Sequence, residues 1–459
     1  MENILFANAS KELVALTDLI KESIHGTEFE GHVFYVGGCV RDLILNHPLN
    51  DVDICVDIPN GGIKFATFMA TKHNCYVEGS NPVTFKAYGT AKFQLFNHPL
   101  LGDMEIECVQ TRKEQYHKDS RNPSTVFGTI DEDAQRRDLS INSLYYNISS
   151  ERLIDPSGLG LDDLKNGVIR TPNDADVVFQ DDPLRILRVI KFSTRYGWDI
   201  EKNTWFGMLN NAFRITIVSQ ERITTEISKM LVGYKPSTAI MKLYFCGILD
   251  KVMTDVYEMA KAKPNDLFLH TMKVLDMVQP KLEHRLAALF HDIGKVVYDT
   301  QNPKLDEFSA EIAEIDLKRM KLPNYVTDSV RNIVKNHRYF SAIQYGKMPS
   351  DKQIRKFIHD CKDDLVPTLD LMQSNLLNEG AEPKIILALF NKVEELVQKD
   401  DARKIKLPIT GKDLIEKFNL KTSPKIGVLL DHLRDAYFEN PNITKEECFA
   451  IAEEKLKNI

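Results

Sequence analysis

Seven cysteines are spread through 459 residues without one C-x-x-C pair, which excludes a zinc ribbon and a disulfide framework. Cys39, Cys55, Cys75, Cys108, Cys246, Cys361 and Cys448 are instead expected to be small core side chains. No basic-apolar-small signal pattern opens the chain, and no uninterrupted apolar run is long enough to cross a bilayer. A cytoplasmic protein without a membrane partner is therefore expected. Nor is there a large excess of one charge. The 59 Lys and Arg against 66 Asp and Glu give a formal charge of −7, so any nucleic-acid surface must be a local one. The 43% hydrophobic and 27% charged residues are ordinary for a globular protein, and the length calls for three or four domains.

The densest chemistry lies between Val33 and Asp57. A short apolar strand runs into Gly37-Gly38, an amphipathic helical segment carries Arg41 and Asp42, Asn46-His47-Pro48 breaks it, and a second strand bears Asp51 and Asp53. Strand side chains alternate, so the two carboxylates point one way while Val52, Ile54 and Val56 point the other. Two acids on one edge of a buried strand need a counter-charge. The usual one is Mg²⁺, which prefers carboxylate, water and phosphate oxygens. Adjacent glycines let the backbone approach an anion closely, and Arg41 adds a fixed positive fork. A Gly-Gly turn and a D-x-D are each commonplace alone; their order and spacing make the signal.

Gly37, Gly38, Val40, Arg41 and Asp42, then Asp51 and Asp53, resemble the class II nucleotidyltransferases. That family contains the bacterial and eukaryotic tRNA nucleotidyltransferases (CCA-adding enzymes) and the bacterial poly(A) polymerases. The resemblance implies that Asp51 and Asp53 hold two Mg²⁺ ions and that Gly37, Gly38 and Arg41 cradle a nucleoside triphosphate. In MEIECVQTR, Glu105 and Glu107 share a strand face, and the spacing of Glu107 to Arg112 is similar to the family's E-x-x-x-x-R segment. By that similarity Glu107 is a third acid beside the metals; the alternative is a solvent-facing strand edge. The polar run Gln115 to Ser124 reads as a mobile loop. DEDAQRRDLSINSLYY, Asp131 to Tyr146, resembles R-R-D-x-x-x-N through Arg136, Arg137, Asp138 and Asn142. On a helix Asp138 and Asn142 would share a face, and the resemblance implies that Arg136, Asp138 and Asn142 reach the sugar and phosphates.

Leu153 to Thr171 is similar to the D-P-x-G-G-x-x-D-L link of this family, with Leu159 where the second glycine is usual, and is expected to be a domain hinge. In FQDDPLRILRVIKFSTRYGW, Phe179 to Trp198, Asp182 is placed to cap a helix with Pro183 at its first position. Arg185, Arg188, Lys191 and Arg195 make a basic face, and Ile186, Leu187, Val189, Ile190 and Phe192 a buried one. The run D-D-P-L-R resembles the family's E-D-x-x-R element, with Asp181 in place of the glutamate. By resemblance Asp182 and Arg185 hydrogen-bond the Watson-Crick edge of the incoming base, and Arg188 joins the nucleotide-binding set. An arginine fork donates and a carboxylate accepts, so such a pair can read C and, after a small shift, A. SQERITTEISKML resembles the neck segment through Glu221, Arg222 and Glu226, which would brace the template arginine; an exposed salt-bridged helix is the alternative.

A second constellation follows: His270, then His291 and Asp292 in LAALFHDIGK, then His337. It resembles an HD-domain phosphohydrolase, in which histidines and an adjacent aspartate hold one or two divalent metals. His and Asp side by side on an apolar helix are costly without a metal or mutual pairing. Ser309-Ala310-Glu311 stands where many HD domains carry G-H-E, and Asn375 where the closing aspartate is expected, so a dinuclear centre looks incomplete. The expectation is a retained HD fold, its metal site and phosphohydrolase activity open. Near the end, LPITGKDLIEKFNLKTSPKIGVLLDHLRDAYFE resembles the RNA-binding tail of CCA-adding enzymes, with turns at Gly411 and Gly427, and Lys412, Lys421 and Lys425 nearby as a phosphate grip.

The resemblance therefore implies an α/β nucleotidyltransferase head, a small mixed sheet with helices over residues 1–150. An all-α neck at 151–262, an HD domain at 263–385 and a helical tRNA-binding tail at 386–459 follow. The implied activity is template-independent addition of C, C and A to tRNA 3′ ends from CTP and ATP, with pyrophosphate released. A CC-adding, A-adding or poly(A)-adding enzyme, an HD phosphohydrolase acting on RNA or nucleotide phosphates, and a catalytically weak tRNA-binding protein stay open.

Overall fold

A computed structural model describes residues 9–49, 52–86, 89–98, 101–115, 124–262, 266–400, 402–421 and 423–457. Asp51 and the middle of the Gln115–Ser124 run lie outside the described residues. The chain divides into two compact units, Met1–Met230 with Met241–Lys251, and Leu231–Ile240 with Val252–Ile459.

The first unit is built on a seven-stranded sheet of order β3-β4-β5-β2-β1-β8-β9. Its strands are β1 Val33–Val36, β2 Asp53–Val56, β3 Val83–Phe85, β4 Thr90–His98, β5 Gly102–Gln110, β8 Tyr145–Asn147 and β9 Arg152–Ile154; β6 Arg112–Gln115 and β7 Ser124–Phe127 form a separate ribbon. β2 and β5 are parallel and the other neighbours antiparallel. The VFYV run of β1 is buried throughout, as befits a central strand covered on both faces. Helix α1, Lys11–Ile24, starts where Ser10 accepts from Leu13 N, and buries Leu13, Leu16, Ile20 and Ile24, the helical stripe read from the sequence. α2 is Gly38–Ile44 and α3 Gly61–Lys72. At Gly62 an added Cβ would stand 2.6 Å from the Gly89 carbonyl and 2.7 Å from that of Cys108, so the start of α3 lies on the sheet only because no side chain intervenes.

The remaining helices of this unit are α4 Ile130–Gln135, α5 Gly160–Asn166, α6 Ala175–Asp181, α7 Leu184–Tyr196, α8 Lys202–Asn211 and α9 Gln220–Leu231. The linker expected as a hinge is tied to the head. Ser140 Oγ donates to Asp163 at 2.6 Å, Arg170 pairs with Asp163 at 3.1 Å, and Ser140 N donates to the Arg170 carbonyl at 2.9 Å.

Helices α10 Pro236–Phe245 and α11 Leu249–Val252 are shared between the units. The second unit continues with α12 Thr254–Lys261, α13 Asp266–Met277, α14 Leu282–Phe290, α15 Leu305–Arg319, α16 Asn324–Asn336, α17 Asp351–Cys361, α18 Leu365–Asn378 and α19 Pro383–Asp400. One buried cluster runs from Phe340 through Ile354, Met372 and Leu389 to Ala402, so α19 packs in one core with α17 and α18. Helices α20 Gly411–Phe418, α21 Pro424–Glu439 and α22 Lys445–Leu456 share a separate core around Leu414, Leu429 and Leu433.

Candidate active site

The acids of the first unit meet on the sheet. Asp53 opens β2 and lies in register with Glu107 on parallel β5, while Glu107 pairs in register with Lys92 on β4. Partners across a ladder share a face. Lys92, Glu107 and Asp53 therefore form one row, with the Lys92 ammonium 3.7 Å from Glu107 and 3.0 Å from Glu105. Asp53 and Glu107 offer only oxygen, which suits a hard divalent ion.

The Gly37-Gly38 turn stands at the end of β1. Gly37 has φ +71 and ψ −127, open to glycine alone at little cost, and its N–H donates to the Leu144 carbonyl at 3.2 Å. An added Cβ at Gly37 would lie 3.3 Å from Arg137 Nη1. Arg137, rather than the expected Arg136, is thus the arginine against this turn. Arg136 is directed to the Arg112 carbonyl and to Asp133. Both arginines clamp buried Asp133, which also accepts from the Tyr145 hydroxyl at 2.5 Å. Burial opposes that carboxylate, yet Arg137 and Arg136 hold it well below the usual range.

The Asp131–Tyr146 stretch is not one helix. α4 ends at Gln135, Leu139 is extended, and Asn142 closes a separate 3₁₀ turn, Ser140–Asn142. The chain leaves the helix because Arg136 and Arg137 fold back onto Asp133 while Tyr145 must join the sheet beside β1. Asp138 and Asn142 still meet, the Asn142 amide donating to Asp138 Oδ1 at 3.0 Å. Arg41 also departs from expectation. Its guanidinium is 4% exposed and turned inward, bidentate on Asp42 at 2.9 and 2.8 Å, donating to Asn142 Oδ1 at 2.5 Å, with Phe192 stacked 4.8 Å away. It is a bracket for the turn and not an open phosphate fork.

α7 starts at Leu184 with Pro183 in the cap position, one residue after the expected start, and Asp182, one residue further out, accepts from Leu184 N at 3.1 Å. A short helix not foreseen, α6, ends immediately before it at Asp181. The basic face of α7 is not a solvated stripe. Arg185 is 7% exposed and donates to the Val178 carbonyl at 3.1 Å, Arg188 Nε donates to Asp138 Oδ2 at 2.6 Å, and Lys191 pairs with Glu226 at 2.6 Å. Of the four cations Arg195 alone is exposed. Helix α9 was expected to brace the template arginine. Its Arg222 pairs with the template acid Asp182 at 2.9 Å, and its Glu226 pairs with Lys191. Burial works against the Asp138 carboxylate, but Arg188 and Asn142 hold it well below the ordinary range, and the Asp138 charge in turn raises Arg188.

In the second unit His270 on α13, His291 at the end of α14, and Asp292 bring ligand atoms within 4.8 Å of one another. The H-D-I-G-K string straddles a helix end: α14 stops at Phe290 and Ile293–Val296 is a 3₁₀ turn. His270 Nε2 lies 3.2 Å from His291 Nε2 and 2.9 Å from Asn375 Oδ1 on α18. Asn375 donates to Glu379 at 3.3 Å, which aims its carbonyl oxygen at the cluster. His291 and His337 each donate Nδ1–H to a helix carbonyl, of Ala288 at 2.8 Å and Val334 at 2.7 Å, which leaves Nε2 as the ring nitrogen the backbone does not use; that of His291 lies 3.3 Å from Asp292 Oδ2. Burial, followed by His291, pushes His337 down to about 3, so it is neutral. His337 Nε2 and Asp292 Oδ1 are buried without a hydrogen-bond partner among the described residues, while Asp292 Oδ2 takes Lys295 at 2.5 Å. Ser309, at the glycine position of the G-H-E turn, accepts from Gly294 N and holds the turn, while buried Ala310, at the histidine position, offers no ligand atom.

The tail residues fall differently from the expected turns. Gly411 is the first residue of α20 behind a Thr410 cap, and Gly427 lies inside α21 with open space around its Cα. Lys412, Lys421 and Lys425 are exposed.

Comparison with known proteins agrees along the chain. The family described as Poly A polymerase head domain matches residues 33–170, Probable RNA and SrmB- binding site of polymerase A matches 197–259, and HD domain matches 268–377. A mitochondrial CCA tRNA nucleotidyltransferase of Candida glabrata is 39% identical over 44% of this chain; the chain spans 39% of that protein, and 42% of its Saccharomyces cerevisiae counterpart. The Multifunctional CCA protein of Chromobacterium violaceum is 30% identical over 66% of this chain and 74% of its own length. Among solved structures, the Bacillus stearothermophilus CCA-adding enzyme in complex with CTP shares the fold with a TM-score of 0.67 at 21% identity, covering 98% of both chains. No described helix is long and apolar enough to cross a membrane. With an acid pair on parallel strands, a glycine turn beside them and an HD cluster downstream, the chain belongs to the class II nucleotidyltransferases, the family of the CCA-adding enzymes and poly(A) polymerases.

Proposed function

We propose that the protein adds C, C and A to the 3′ end of tRNA, using CTP and ATP and releasing pyrophosphate. The observation that carries this reading is one continuous chain of bonds in the first unit. It links the base-reading helix to the glycine turn through Arg188, Asp138, Asn142 and Arg41. A phosphate half and a base-selecting half belong to one rigid frame. Relatives named for CCA addition support the same reading.

Asp53 and Asp51, with Glu107 alongside, would hold Mg²⁺, whose chemistry is to polarise the α-phosphate and offset the charge of the departing pyrophosphate. The chain's own residues then do the rest. The Gly37-Gly38 turn and Arg137 receive the triphosphate, and Asp138 with Asn142 faces the sugar. Asp182, steadied by Arg222, accepts from the base amino group while Arg185 donates to the base acceptors. A base of the wrong pattern leaves these buried groups unpaired. Lys412, Lys421 and Lys425, near Gly411 and Gly427, grip tRNA phosphates.

The test is incubation with tRNAs lacking one, two or three terminal residues, each labelled nucleotide supplied singly and the products sequenced. CMP entering the two shorter substrates and AMP the longest is the expected result. Failure of either base to enter overturns full CCA addition in favour of a CC-adding or A-adding enzyme, and unlimited AMP tracts in favour of poly(A) addition. Two relatives are labelled mitochondrial, so cell fractionation against a mitochondrial marker tests the cytoplasmic expectation.

A second reading concerns the HD cluster, favoured by the unpartnered Asp292 Oδ1 and His337 Nε2. Three imidazoles, one carboxylate and the Asn375 carbonyl suit one borderline transition ion better than Mg²⁺. Metal analysis and phosphodiesterase assays of wild type against His291→Ala test it; equal metal content in the two proteins removes this site.

A further inference from the structure

Resting on the transfer reading above, we infer that Arg188, Phe192 and Tyr196 form a positioning seam. It sets the distance between the base-selecting pair and the triphosphate half without reading the base. The three residues are four apart on α7, so they stack along one helix face. Each meets a different part of the head. Arg188 Nε donates to Asp138 Oδ2 at 2.6 Å, the Phe192 ring lies under the Arg41 guanidinium at 4.8 Å, and the Tyr196 hydroxyl donates to Asp42 Oδ1 at 3.3 Å. Tyr196 also stacks on His47, at 5.9 Å and 23°, just past the end of α2, and lies 4.7 Å from Trp198.

A neighbouring flank of the same helix, where the Lys191 ammonium lies 4.7 Å from the Phe192 ring, is held within the neck. Lys191 pairs with Glu226, and Asp182, immediately before α7, pairs with Arg222. Two sets of anchors therefore act on one helix. Those to α9 shape the base reader itself. Those to the head decide where the reader stands relative to Gly37 and Asp53. Because Asp42 and Asn142 both hold Arg41, a shift at Tyr196 or Arg188 is passed to the glycine turn through bonds already made. The seam acts equally on C and A, since none of its members contacts the base; Arg188 is a positioning residue here and not a nucleotide ligand.

The test is single-turnover incorporation of CMP and AMP by Arg188→Ala, Arg188→Lys, Tyr196→Phe and the charge-exchanged pair Asp138→Arg with Arg188→Asp, in the full chain, with thermal midpoints alongside. A displaced reader costs orientation, so Arg188→Ala should lower the rate for both nucleotides about 30- to 100-fold. Nucleotide KM and the C-to-A ratio should each stay within about threefold. Tyr196→Phe should lower both rates about threefold, the value of one weak bond to a charged acceptor, and should add nothing to Asp42→Asn. Arg188→Lys should recover part of the lost rate, which a merely unfolded variant would not, and the charge exchange, which also removes the sugar-facing Asp138, should recover the thermal midpoint and not the rate. A changed C-to-A ratio in Arg188→Ala makes Arg188 a base reader and overturns the seam, as does a raised KM at unchanged rate or no change at all. If Arg188→Ala does not fold, Arg188→Lys and Tyr196→Phe carry the same comparison. Inactive wild-type protein overturns the transfer reading itself and the seam with it; active wild type with unaffected variants overturns the seam alone.

Discussion

The two polar centres of this chain are finished in opposite ways. In the head and neck, buried charges meet protein partners: Asp133 takes two arginines and a tyrosine, Asp138 takes Arg188 and Asn142, and Arg41 takes Asp42 and Asn142. In the HD cluster, His337 Nε2 and one oxygen of Asp292 have no hydrogen-bond partner among the described residues, and two histidine nitrogens face each other at 3.2 Å. A buried polar atom left unpaired costs about 1–3 kcal/mol, more when charged. The first centre is a frame that stands by itself and admits a substrate that comes and goes. The second leaves buried acceptors without a protein partner among the described residues, the arrangement that the proposed metal site would complete.

The comparison can be broken most severely at the metal row. Asp53→Ala should lower nucleotide incorporation by about 10³-fold or more, the several kcal/mol of charge stabilisation a bound ion supplies, with tRNA binding by gel shift retained. Incorporation that persists would remove the row from the chemistry. At the frame, Asp133→Ala leaves two arginines without their shared carboxylate and should cost about 3–5 kcal/mol in urea unfolding. A loss under about 1 kcal/mol would mean that the frame is dispensable.

Selection should respond differently from rate. Arg185→Ala should relax the preference between C and A by about 10- to 100-fold, and Arg222→Ala, which frees Asp182, by less; an unchanged preference would refute the template assignment. In the HD cluster, His291→Ala should reduce tightly held transition metal from about one ion per chain to none, read by elemental analysis after dialysis.

The smallest expected effect is on pH dependence. The Asp138 carboxyl is depressed in the fold, so its stabilisation is complete above the unfolded carboxylate range near pH 4 and is lost as pH falls toward the lower folded value. Asp138→Asn should therefore show a shallower acid decline in unfolding free energy between about pH 5 and pH 2 than wild type. Parallel curves would mean that Asp138 does not titrate against Arg188.

Much of the frame was legible because local rules govern it. The apolar stripe of α1, the all-buried β1 and the Asp182 acceptor before α7 follow from periodicity and from side-chain acceptors at helix starts. The placement of Glu107 beside Asp53 was not legible in the same sense. The residue was singled out by spacing, but its neighbour was decided by a parallel pairing between strands fifty residues apart. Three errors share one cause. The sequence reading makes Arg41 a positive fork for phosphate, Arg136 a sugar and phosphate ligand, and Arg185, Arg188, Lys191 and Arg195 one basic face. In each, a buried partner took the charge: a distant one for Arg41 with Asn142, Arg188 with Asp138 and Lys191 with Glu226, and a near one for Arg136 with Asp133, where spacing allows the pair but does not show that it is buried. Phe192 and Tyr196 were missed as functional for the opposite reason: at helical spacing, aromatics are indistinguishable from core.

By itself the sequence determined which chemistry is present: paired acids after a glycine turn, a capped helix with an acid and an arginine three apart, and a histidine-aspartate string with Asn375 in place of a carboxylate. Those depend on residue type and short spacing, which chain order preserves. Only the tertiary structure decided which charges are available and which are used up. Asp138 with Arg188 and Asp182 with Arg222 are separated by 50 and 40 residues and meet only because the segments that carry the two aspartates pack against α7 and α9. A charge's role depends on its nearest counter-charge, and that neighbour is a property of packing.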